Sequence, residues 1–269
     1  MKNILILGGS GFIGNKLYKE LNKFYNTFST YNTSKKKIKN QQYLYFKMED
    51  LNLNLLLKKI KPELIISCLR GDFEMQIITH KEITNYLTEN NCKIIFLSSS
   101  NVFDVFRHYP SYEFDKTFSE SPYGKFKIKI ENLLFKLPVE KFIIARLPMI
   151  WGINSPRIKE IDENIYKMLP IEVYPNTIIN VNSINRLCQQ ILYLINNNKK
   201  GVFHLGSYDL IYHYDFIKII VEKRYDKKGI FKFVYSSNEA RYIATLPKEN
   251  RLPNHLETSY IDVIEDLTF

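Results

Sequence analysis

Short apolar runs alternate with longer stretches of helical periodicity through the first half of the chain. This alternation predicts repeated β-α-β units, in which parallel strands are joined by helices that cover the sheet. Strands are expected at 3–7, 27–31, 43–47, 63–67, 93–98 and 142–146, and helices at 12–24, 51–60, 74–90 and 122–137. We therefore predict an α/β fold built on a doubly wound parallel sheet.

The pattern loosens after Trp151, where the clear elements are a helix at 181–196, a strand at 201–205 and a helix at 214–224. The strand could rejoin the parallel sheet, and the tail from Phe231 is expected to be loop-rich with short elements. The predicted division is a first domain over 1–152 and a smaller C-terminal substrate lobe over 153–269, with 181–206 rejoining the first domain.

The first predicted strand runs into a glycine-rich turn that opens the first helix. Its glycines form a G-x-x-G-x-x-G pattern in the strand–turn–helix context that dinucleotide binding requires. They permit a tight turn, let a pyrophosphate approach the backbone, and let the helix pack closely on the strand. Free N–H groups at the helix N-terminus favour an anion. We predict a Rossmann-type domain whose cofactor-binding loop comprises Gly8, Ser10, Gly11, Phe12, Ile13 and Gly14.

The residues after the second strand bear on which dinucleotide is bound. NAD-binding units usually place an acid there, which accepts a hydrogen bond from the ribose 2′-OH. This chain has Asn32, Ser34 and Lys35 instead, which suit a 2′-phosphate. We therefore predict NADP(H) in preference to NAD(H), although the lysine run at 35–37 could equally be a solvated loop. Asp50, after the third strand, is a candidate adenine contact.

Two groups of residues further along the chain suggest catalytic chemistry. A serine cluster at 98–100 ends a buried strand, at the sheet edge where doubly wound folds bind ligands. Tyr123 and Lys127 are spaced four apart at the start of a predicted helix, which puts them on one face. A Tyr-x-x-x-Lys spacing alone is more often structural in a chain rich in both residues. Its value here comes from its order, after the glycine loop and the serines.

These residue types suit the reduction of a ketone. A carbonyl that accepts a hydride becomes an alkoxide, which must be protonated. A phenol has an ordinary pKa of about 10 and is a poor acid–base catalyst near neutral pH. A neighbouring ammonium favours the phenolate and lowers the pKa of the phenol. A serine hydroxyl can hold the carbonyl oxygen beside it.

The chain resembles the extended short-chain dehydrogenases/reductases and, within them, the dTDP-4-dehydrorhamnose reductase group. The segments that carry this resemblance are the glycine loop, 96–104, 123–127 with Glu131, and 146–152, and more faintly 202–206 and 250–256. The resemblance implies that Ser99 supplies the catalytic hydroxyl and that Tyr123 donates the proton. It implies that Lys127 lowers the pKa of Tyr123 and binds the nicotinamide ribose.

Further contacts are expected around this catalytic set. Those predicted for the cofactor are Cys68, Leu69, Ser98 and Pro148. Those predicted for the substrate are Ser100, Arg107 and Arg157, of which Arg107 could reach a diphosphate. A solvated loop accounts for the two arginines more simply.

The function implied by the resemblance is NAD(P)H-dependent reduction of a keto group on a nucleotide-activated sugar. The chain departs from the group at Ser100-Asn101, where the reductases usually have Asp-Tyr, and at Arg70, where small residues are usual. An NAD-dependent sugar-nucleotide epimerase, a dehydratase and a non-catalytic NAD(P)-binding regulatory subunit remain alternatives. A dehydratase usually needs an acid pair that Ser100-Asn101 does not supply, and the intact catalytic set argues against the regulatory subunit.

Composition limits the remaining classes. The net charge of +10 could attract an anion, but the lysines are spread along the chain, so compositional drift is the simpler account and no nucleic-acid partner is predicted. No apolar run reaches the roughly 18 residues of a transmembrane helix. The three cysteines lack metal-ligand spacing and are expected to be reduced thiols of a cytoplasmic protein. The expected partner is a small molecule, no metal is expected, and a homodimer is left open.

Overall fold

A computed structural model describes residues 2–33, 41–225, 228–235 and 238–268. A seven-stranded sheet has the strand order β11-β6-β5-β4-β1-β2-β3. Its strands are β1 Asn3–Leu7, β2 Asn26–Tyr31, β3 Tyr43–Tyr45, β4 Leu64–Ser67, β5 Lys93–Ser99, β6 Phe142–Leu147 and β11 Gly201–His204. The pairs β1–β2, β2–β3, β1–β4 and β4–β5 run parallel. The order reverses between β1 and β4, so the predicted doubly wound sheet is confirmed.

Four helices connect and cover the sheet: α1 Phe12–Leu21, α2 Leu53–Ile60, α3 Phe73–Glu89 and α4 Pro122–Leu134. Strands β1, β4 and β5 are apolar almost throughout because helices cover both faces of a parallel sheet. Phe126 and Ile130 of α4 join them in one buried core. Helix α1 ends at Leu21, three residues before its predicted end, and the chain continues into a turn in which the Phe24 N–H donates to the Leu21 carbonyl at 3.0 Å.

The chain divides into two compact units. The first comprises Met1–Ser98, Ser121–Ala145 and Leu192–Val202; the second comprises Ser99–Glu120, Arg146–Ile191 and Phe203–Phe269. Three of the boundaries fall near the ends of β5, β6 and β11, one precedes α4, and one lies between Ile191 and Leu192. The predicted division placed all of 1–152 in the first domain and let 181–206 rejoin it; here 99–120 and 146–152 belong to the second unit, and of 181–206 only 192–202 belongs to the first.

The second unit contains short strands and four helices around its own apolar core. The strands are β7 Met149–Trp151, β8 Ile171–Val173, β9 Thr177–Ile179, β10 Val181–Ser183, β12 Ile211–Tyr212, β13 Phe231–Phe233 and β14 Arg241–Ile243. The helices are α5 Pro156–Lys167, α6 Ile184–Asn196, α7 His213–Arg224 and α8 Tyr260–Thr268. The last five residues of α6, 192–196, belong to the first unit. Among the described residues, no helix has the length and apolar content needed to cross a bilayer.

Three helices here differ from the sequence prediction. The helix expected from Val181 begins only at Ile184, because Val181–Ser183 forms a strand paired with β7. The Ser183 hydroxyl accepts the Arg186 N–H, and the strand ends there. Helix α5 was not predicted, although the Ser155 hydroxyl caps it and Pro156 opens it. Helix α8 was not predicted either. Ser259 and Asp262 cap it reciprocally, each accepting the other's N–H.

The buried carboxylate of Glu113 holds the tail segment of the second unit in place. It accepts backbone N–H groups from Lys248 at 2.9 Å and from Asn250 at 3.1 Å. The Arg146 guanidinium donates to the Glu113 carbonyl oxygen at 2.9 Å. Burial raises the pKa of Glu113, but the backbone N–H groups outweigh it, and the pKa lies below its usual 4.5.

Replacement of Glu113 by glutamine should destabilise the second unit, because an amide cannot satisfy the same set of N–H donors. We expect a loss of about 1–3 kcal/mol in the free energy of unfolding, measured by urea denaturation at pH 7. Glu160→Gln, on the exposed face of α5, is the matched control and should change little.

The Glu113 carboxylate should stabilise the fold less as the pH falls. When folding lowers the pKa of a carboxyl, the carboxylate stabilises the fold at pH values above the pKa of the unfolded state. This stabilisation is lost as the pH falls through the pKa of the folded state. The difference between wild type and Glu113→Gln should therefore shrink below about pH 4.5. A difference that stays constant down to pH 3 would contradict this role.

Candidate functional site

The glycine loop lies between β1 and α1 and is tied to β2. Gly8 has a φ of +82°, a left-handed conformation that glycine adopts without strain. Its N–H donates to the Thr30 hydroxyl at 2.9 Å, and the Ser10 N–H donates to the Thr30 carbonyl at 3.2 Å. The turn is therefore fixed against the carboxyl end of the neighbouring strand.

Gly14 has a packing role. A Cβ at Gly14 would lie 2.5 Å from the Gly8 carbonyl oxygen, so only glycine lets α1 approach the turn this closely. Gly9, which the sequence analysis passed over, is equally constrained, because its Cβ would lie 1.5 Å from the Ser29 hydroxyl oxygen. A Cβ at Gly11 would lie 3.3 Å from its nearest neighbour, the Gly8 carbonyl oxygen, so Gly11 is less tightly packed than Gly9 and Gly14.

The N-terminus of α1 can accept an anion. Gly11 is the N-cap and has no side chain to satisfy the first N–H groups, and the first turn contains no acidic residue. Ser10 is exposed, and Phe12 and Ile13 are half-buried beside it. A helix start of this kind offers N–H donors and a partial positive charge.

The residues predicted to contact the adenosine are less well defined. Asn32 directly follows β2 and is exposed. Ser34 and Lys35 lie outside the described residues. Asp50 is exposed at the end of a short 3-10 turn, Met48–Asp50. Their contacts with a cofactor remain predictions.

Tyr123 and Lys127 lie on one face at the start of α4. The Ser121 hydroxyl caps this helix by accepting the Gly124 N–H at 3.1 Å, and Pro122 occupies its first position. The Lys127 Nζ lies 5.8 Å from the centre of the Tyr123 ring. The Tyr123 side chain is 40% exposed, so a ligand can reach its phenol.

The ammonium of Lys127 is buried at the carboxyl end of β5. Only 6% of the residue is exposed, the Nζ donates to the Leu97 carbonyl at 2.8 Å, and it lies 4.5 Å above the Phe96 ring. Burial lowers the pKa of Lys127 to about 8. The charges of Cys68 and Glu131 act in the opposite direction, and that of Arg70 lowers the pKa further.

The predicted contacts beside Lys127 sit at the ends of β4 and β5. Cys68 and Leu69 follow β4 and are half-buried, and the Cys68 carbonyl oxygen lies against Gly8. The Ser98 hydroxyl donates to the Glu131 carboxylate at 2.5 Å, so it already has a protein acceptor. Its contribution to cofactor binding remains a prediction.

A buried histidine, His80, lies near Lys127, and sequence reasoning missed it. The Nδ1 of His80 bonds to the Gln76 carbonyl at 2.6 Å, and its Nε2 bonds to the Ser67 hydroxyl at 2.9 Å. Burial, with a further contribution from the Lys127 charge, lowers the pKa of His80 to about 4, so the ring is neutral at physiological pH. Its place mid-helix gave no sequence signal.

In the second unit, the Ser99 hydroxyl is oriented by its own turn. It donates to the Asn101 amide oxygen at 3.1 Å and accepts the Asn101 N–H at 3.2 Å, which starts the 3-10 turn Ser100–Phe103. Ser100 is buried. The structure thus fixes the direction of the Ser99 hydroxyl through the residue at which this chain departs from the reductase pattern.

Two arginines of the second unit lie close together near that turn. Strand β14 packs against the 3-10 turn, and the Tyr242 N–H donates to the Arg107 carbonyl at 2.9 Å. Burial lowers the pKa of Arg241, and the positive charge of Arg107 lowers it further, while the Asp104 carboxylate opposes this. Arg107 also makes a long 3.7 Å ion pair with exposed Glu120. Sequence reasoning missed Arg241 because it lies far from Arg107 along the chain.

The last two predicted contacts lie elsewhere in the second unit. Arg157 is exposed on α5, with its guanidinium 5.9 Å from the Trp151 ring. Pro148 is buried between β6 and β7, and a Cβ on Gly206 would lie 2.9 Å from its Cγ. Their roles toward substrate and nicotinamide remain predictions.

Comparison with solved structures shows the same fold in other proteins. A hypothetical dTDP-4-dehydrorhamnose reductase from Sulfolobus tokodaii is 20% identical, with a TM-score of 0.77 over 91% of this chain and 92% of that one. A Bacillus anthracis dTDP-4-dehydrorhamnose reductase in complex with NADP is 18% identical, with a TM-score of 0.76 over 99% and 98%. The dTDP-glucose 4,6-dehydratase of the same organism, in complex with NAD, is 14% identical, with a TM-score of 0.78 over 100% and 96%.

Sequence comparison identifies the family. No curated protein matches the chain at a significant level. The family model described as the RmlD substrate binding domain matches residues 1–256, which is nearly the whole chain. The chain therefore belongs to the RmlD substrate-binding-domain family.

Proposed function

We propose that this protein is an NAD(P)H-dependent reductase that acts on a keto group of a nucleotide-activated sugar. The observation that carries the proposal is a buried Lys127 ammonium one helical turn from the accessible Tyr123, in the same unit as the glycine loop. Family membership supports it, as does the shared fold with reductases of dTDP-4-dehydrorhamnose.

The dinucleotide is proposed to lie across the switch point of the sheet. Its diphosphate would rest on the N–H groups at the start of α1, where Gly8 and Gly14 bring backbone and helix together. Lys127 would bind the nicotinamide ribose through its remaining N–H donors, because only one donor is accounted for by Leu97. The reduced nicotinamide supplies the hydride.

The protein's own residues are proposed to manage the oxygen that receives this hydride. Tyr123 donates the proton to the developing alkoxide, and the Lys127 charge stabilises the phenolate that remains. The Ser99 hydroxyl would donate to the substrate carbonyl oxygen after giving up its bond to the Asn101 amide oxygen, since it has one hydrogen to donate. The Asn101 N–H can continue to donate to the Ser99 oxygen while this exchange takes place.

The diphosphate of the substrate is assigned to Arg107 and Arg241. Two guanidinium groups held near each other repel, and a bound dianion relieves that repulsion while it accepts charge-assisted hydrogen bonds. Strand β14, which contains Arg241, packs on the turn that begins after Ser99. The arginine pair and the Ser99 hydroxyl therefore belong to one packed part of the second unit.

NADP(H) is the proposed cofactor because no acid follows β2 to accept the ribose 2′-OH. Asn32, Ser34 and Lys35 offer donors and a positive charge to a 2′-phosphate instead. This preference rests on the sequence alone at Ser34 and Lys35.

Tyr123→Phe should abolish turnover and spare cofactor binding, because it removes only the phenolic O–H. We expect kcat to fall by at least about 100-fold with a dTDP-4-keto sugar, followed by NADPH oxidation. The Kd of NADPH, from fluorescence titration of the same preparation, should stay within about threefold. Tyr166→Phe, on the exposed surface of α5, is the matched control. A variant at position 123 that turns over at the wild-type rate would refute the assigned role.

Lys35→Glu should weaken NADPH binding more than NADH binding, because it places a like charge beside the 2′-phosphate. We expect the ratio of the two Kd values to change by about tenfold or more. Lys136→Glu makes the same charge change at an exposed site of the first unit and should leave the ratio unaltered. An equal loss of affinity for NADPH and NADH would show that Lys35 does not contact the 2′-phosphate.

A further inference from the structure

Helix α4 carries a buried carboxylate that the proposed reaction does not use. Glu131 is fully buried and lies one helical turn beyond Lys127, on the same face. An isolated carboxylate in such a place would be strongly unfavourable, so its partners are informative.

One partner of Glu131 is the Ser98 hydroxyl, which donates to it at 2.5 Å. A separation this short is typical of an O–H group that bonds to an ionised carboxylate. Ser98 lies next to Leu97, whose carbonyl accepts the Lys127 ammonium. Two consecutive residues of β5 thus bind the two side chains of α4: the Leu97 carbonyl accepts from the Lys127 ammonium, and the Ser98 hydroxyl donates to the Glu131 carboxylate.

Several other groups face the Lys127 ammonium, and among the described ones Glu131 is the carboxylate. Beside Glu131 and Tyr123 on α4 these are the Phe96 ring from β5, His80 from α3, and Cys68 and Arg70 from the end of β4. His80 is neutral and Arg70 adds positive charge, while Cys68 and Glu131 both favour the charged form of Lys127. Of these two, the carboxyl has the lower ordinary pKa, about 4.3 against about 8.5 for a thiol, so Glu131 is the group to neutralise in a test.

We propose that Glu131 is a positioning residue whose buried carboxylate, fixed by the Ser98 hydroxyl, keeps the Lys127 ammonium protonated at the working pH of the site. The catalytic importance of this protonation rests on the proposed function, but the electrostatic claim does not.

The charge of Glu131 matters because the protonated and neutral forms of Lys127 are close in free energy near physiological pH. Burial has already brought the pKa of Lys127 to about 8, near physiological pH. If the negative charge of Glu131 is removed, the pKa must fall further, and much of the side chain becomes a neutral amine at pH 7.5. A neutral amine would no longer stabilise the Tyr123 phenolate.

The test is the pH titration of Lys127 in the full-length protein, in wild type and Glu131→Gln. Lysine labelled with ¹³C at Cε gives one resonance per residue, and the resonance of Lys127 is the one that Lys127→Arg removes. Glutamine keeps the size and a carbonyl acceptor for Ser98 but removes the charge. We expect the Lys127 midpoint to fall by about one to two pH units.

Glu74→Gln is the matched control. It makes the same substitution at an exposed carboxylate that pairs with Lys129 of α4 at 3.8 Å, and it should leave the Lys127 midpoint unchanged. With turnover as a second readout, the alkaline limb of kcat/KM should move to lower pH in Glu131→Gln by the same amount as the NMR midpoint. A residue with a purely structural role would lower the rate at every pH alike.

An unchanged Lys127 midpoint in folded Glu131→Gln would overturn the proposal. If that variant does not fold, Ser98→Ala serves instead: it removes the hydroxyl that fixes the carboxylate, and a smaller fall of the midpoint is expected. No fall in Ser98→Ala would equally overturn it. Because the titration needs no ligand, a wild type without turnover, combined with the expected midpoint shift, would reject the proposed reaction and leave the role of Glu131 intact.

Discussion

A buried positive charge at the end of β5 is the constraint around which the first unit is arranged. Taking the Lys127 ammonium out of water is unfavourable by several kcal/mol unless other groups replace its solvation. The Leu97 carbonyl, the Phe96 ring face and the Glu131 carboxylate provide that replacement. Each comes from β5 or α4, so the packing of one helix on one strand fixes where the charge lies.

The Rossmann topology explains why this charge is useful where it is. The carboxyl ends of β1, β4 and β5 lie at one edge of the sheet, next to the point where the strand order reverses. The glycine loop follows β1, Cys68 follows β4, and Lys127 is held by β5. A helix start without acidic residues and a buried ammonium are thus provided by neighbouring strands of the same sheet.

Local patterns in the sequence predicted the elements of this sheet, and the fold and the family are confirmed. Apolar runs identified β1, β4 and β5, and the strand–turn–helix context identified the glycine loop. The spacing of Tyr123 and Lys127 predicted their shared face correctly because a helical turn is a local property. Helices α5 and α8 were missed although local signals were present: the caps Ser155-Pro156 and Ser259–Asp262, and apolar residues at helical spacing, Ile158, Ile161 and Ile165 in α5 and Val263, Ile264 and Leu267 in α8.

The interactions that no local pattern encodes could not be predicted. The bond between Ser98 and Glu131, and the proximity of Arg107 and Arg241, join residues far apart along the chain, and only the fold brings them together. The same is true of the pair formed by Ser67 and His80. Which sugar nucleotide is reduced depends on contacts of the same kind.

The most direct test of the account is a crystal structure of the protein with NADP⁺, in which the distances from the cofactor to the first unit are measured. The account predicts the diphosphate at the N-terminus of α1 and the Lys127 Nζ within about 2.7–3.2 Å of a nicotinamide ribose hydroxyl. A dinucleotide bound away from the glycine loop, or a Lys127 that makes no contact with the ribose, would contradict it.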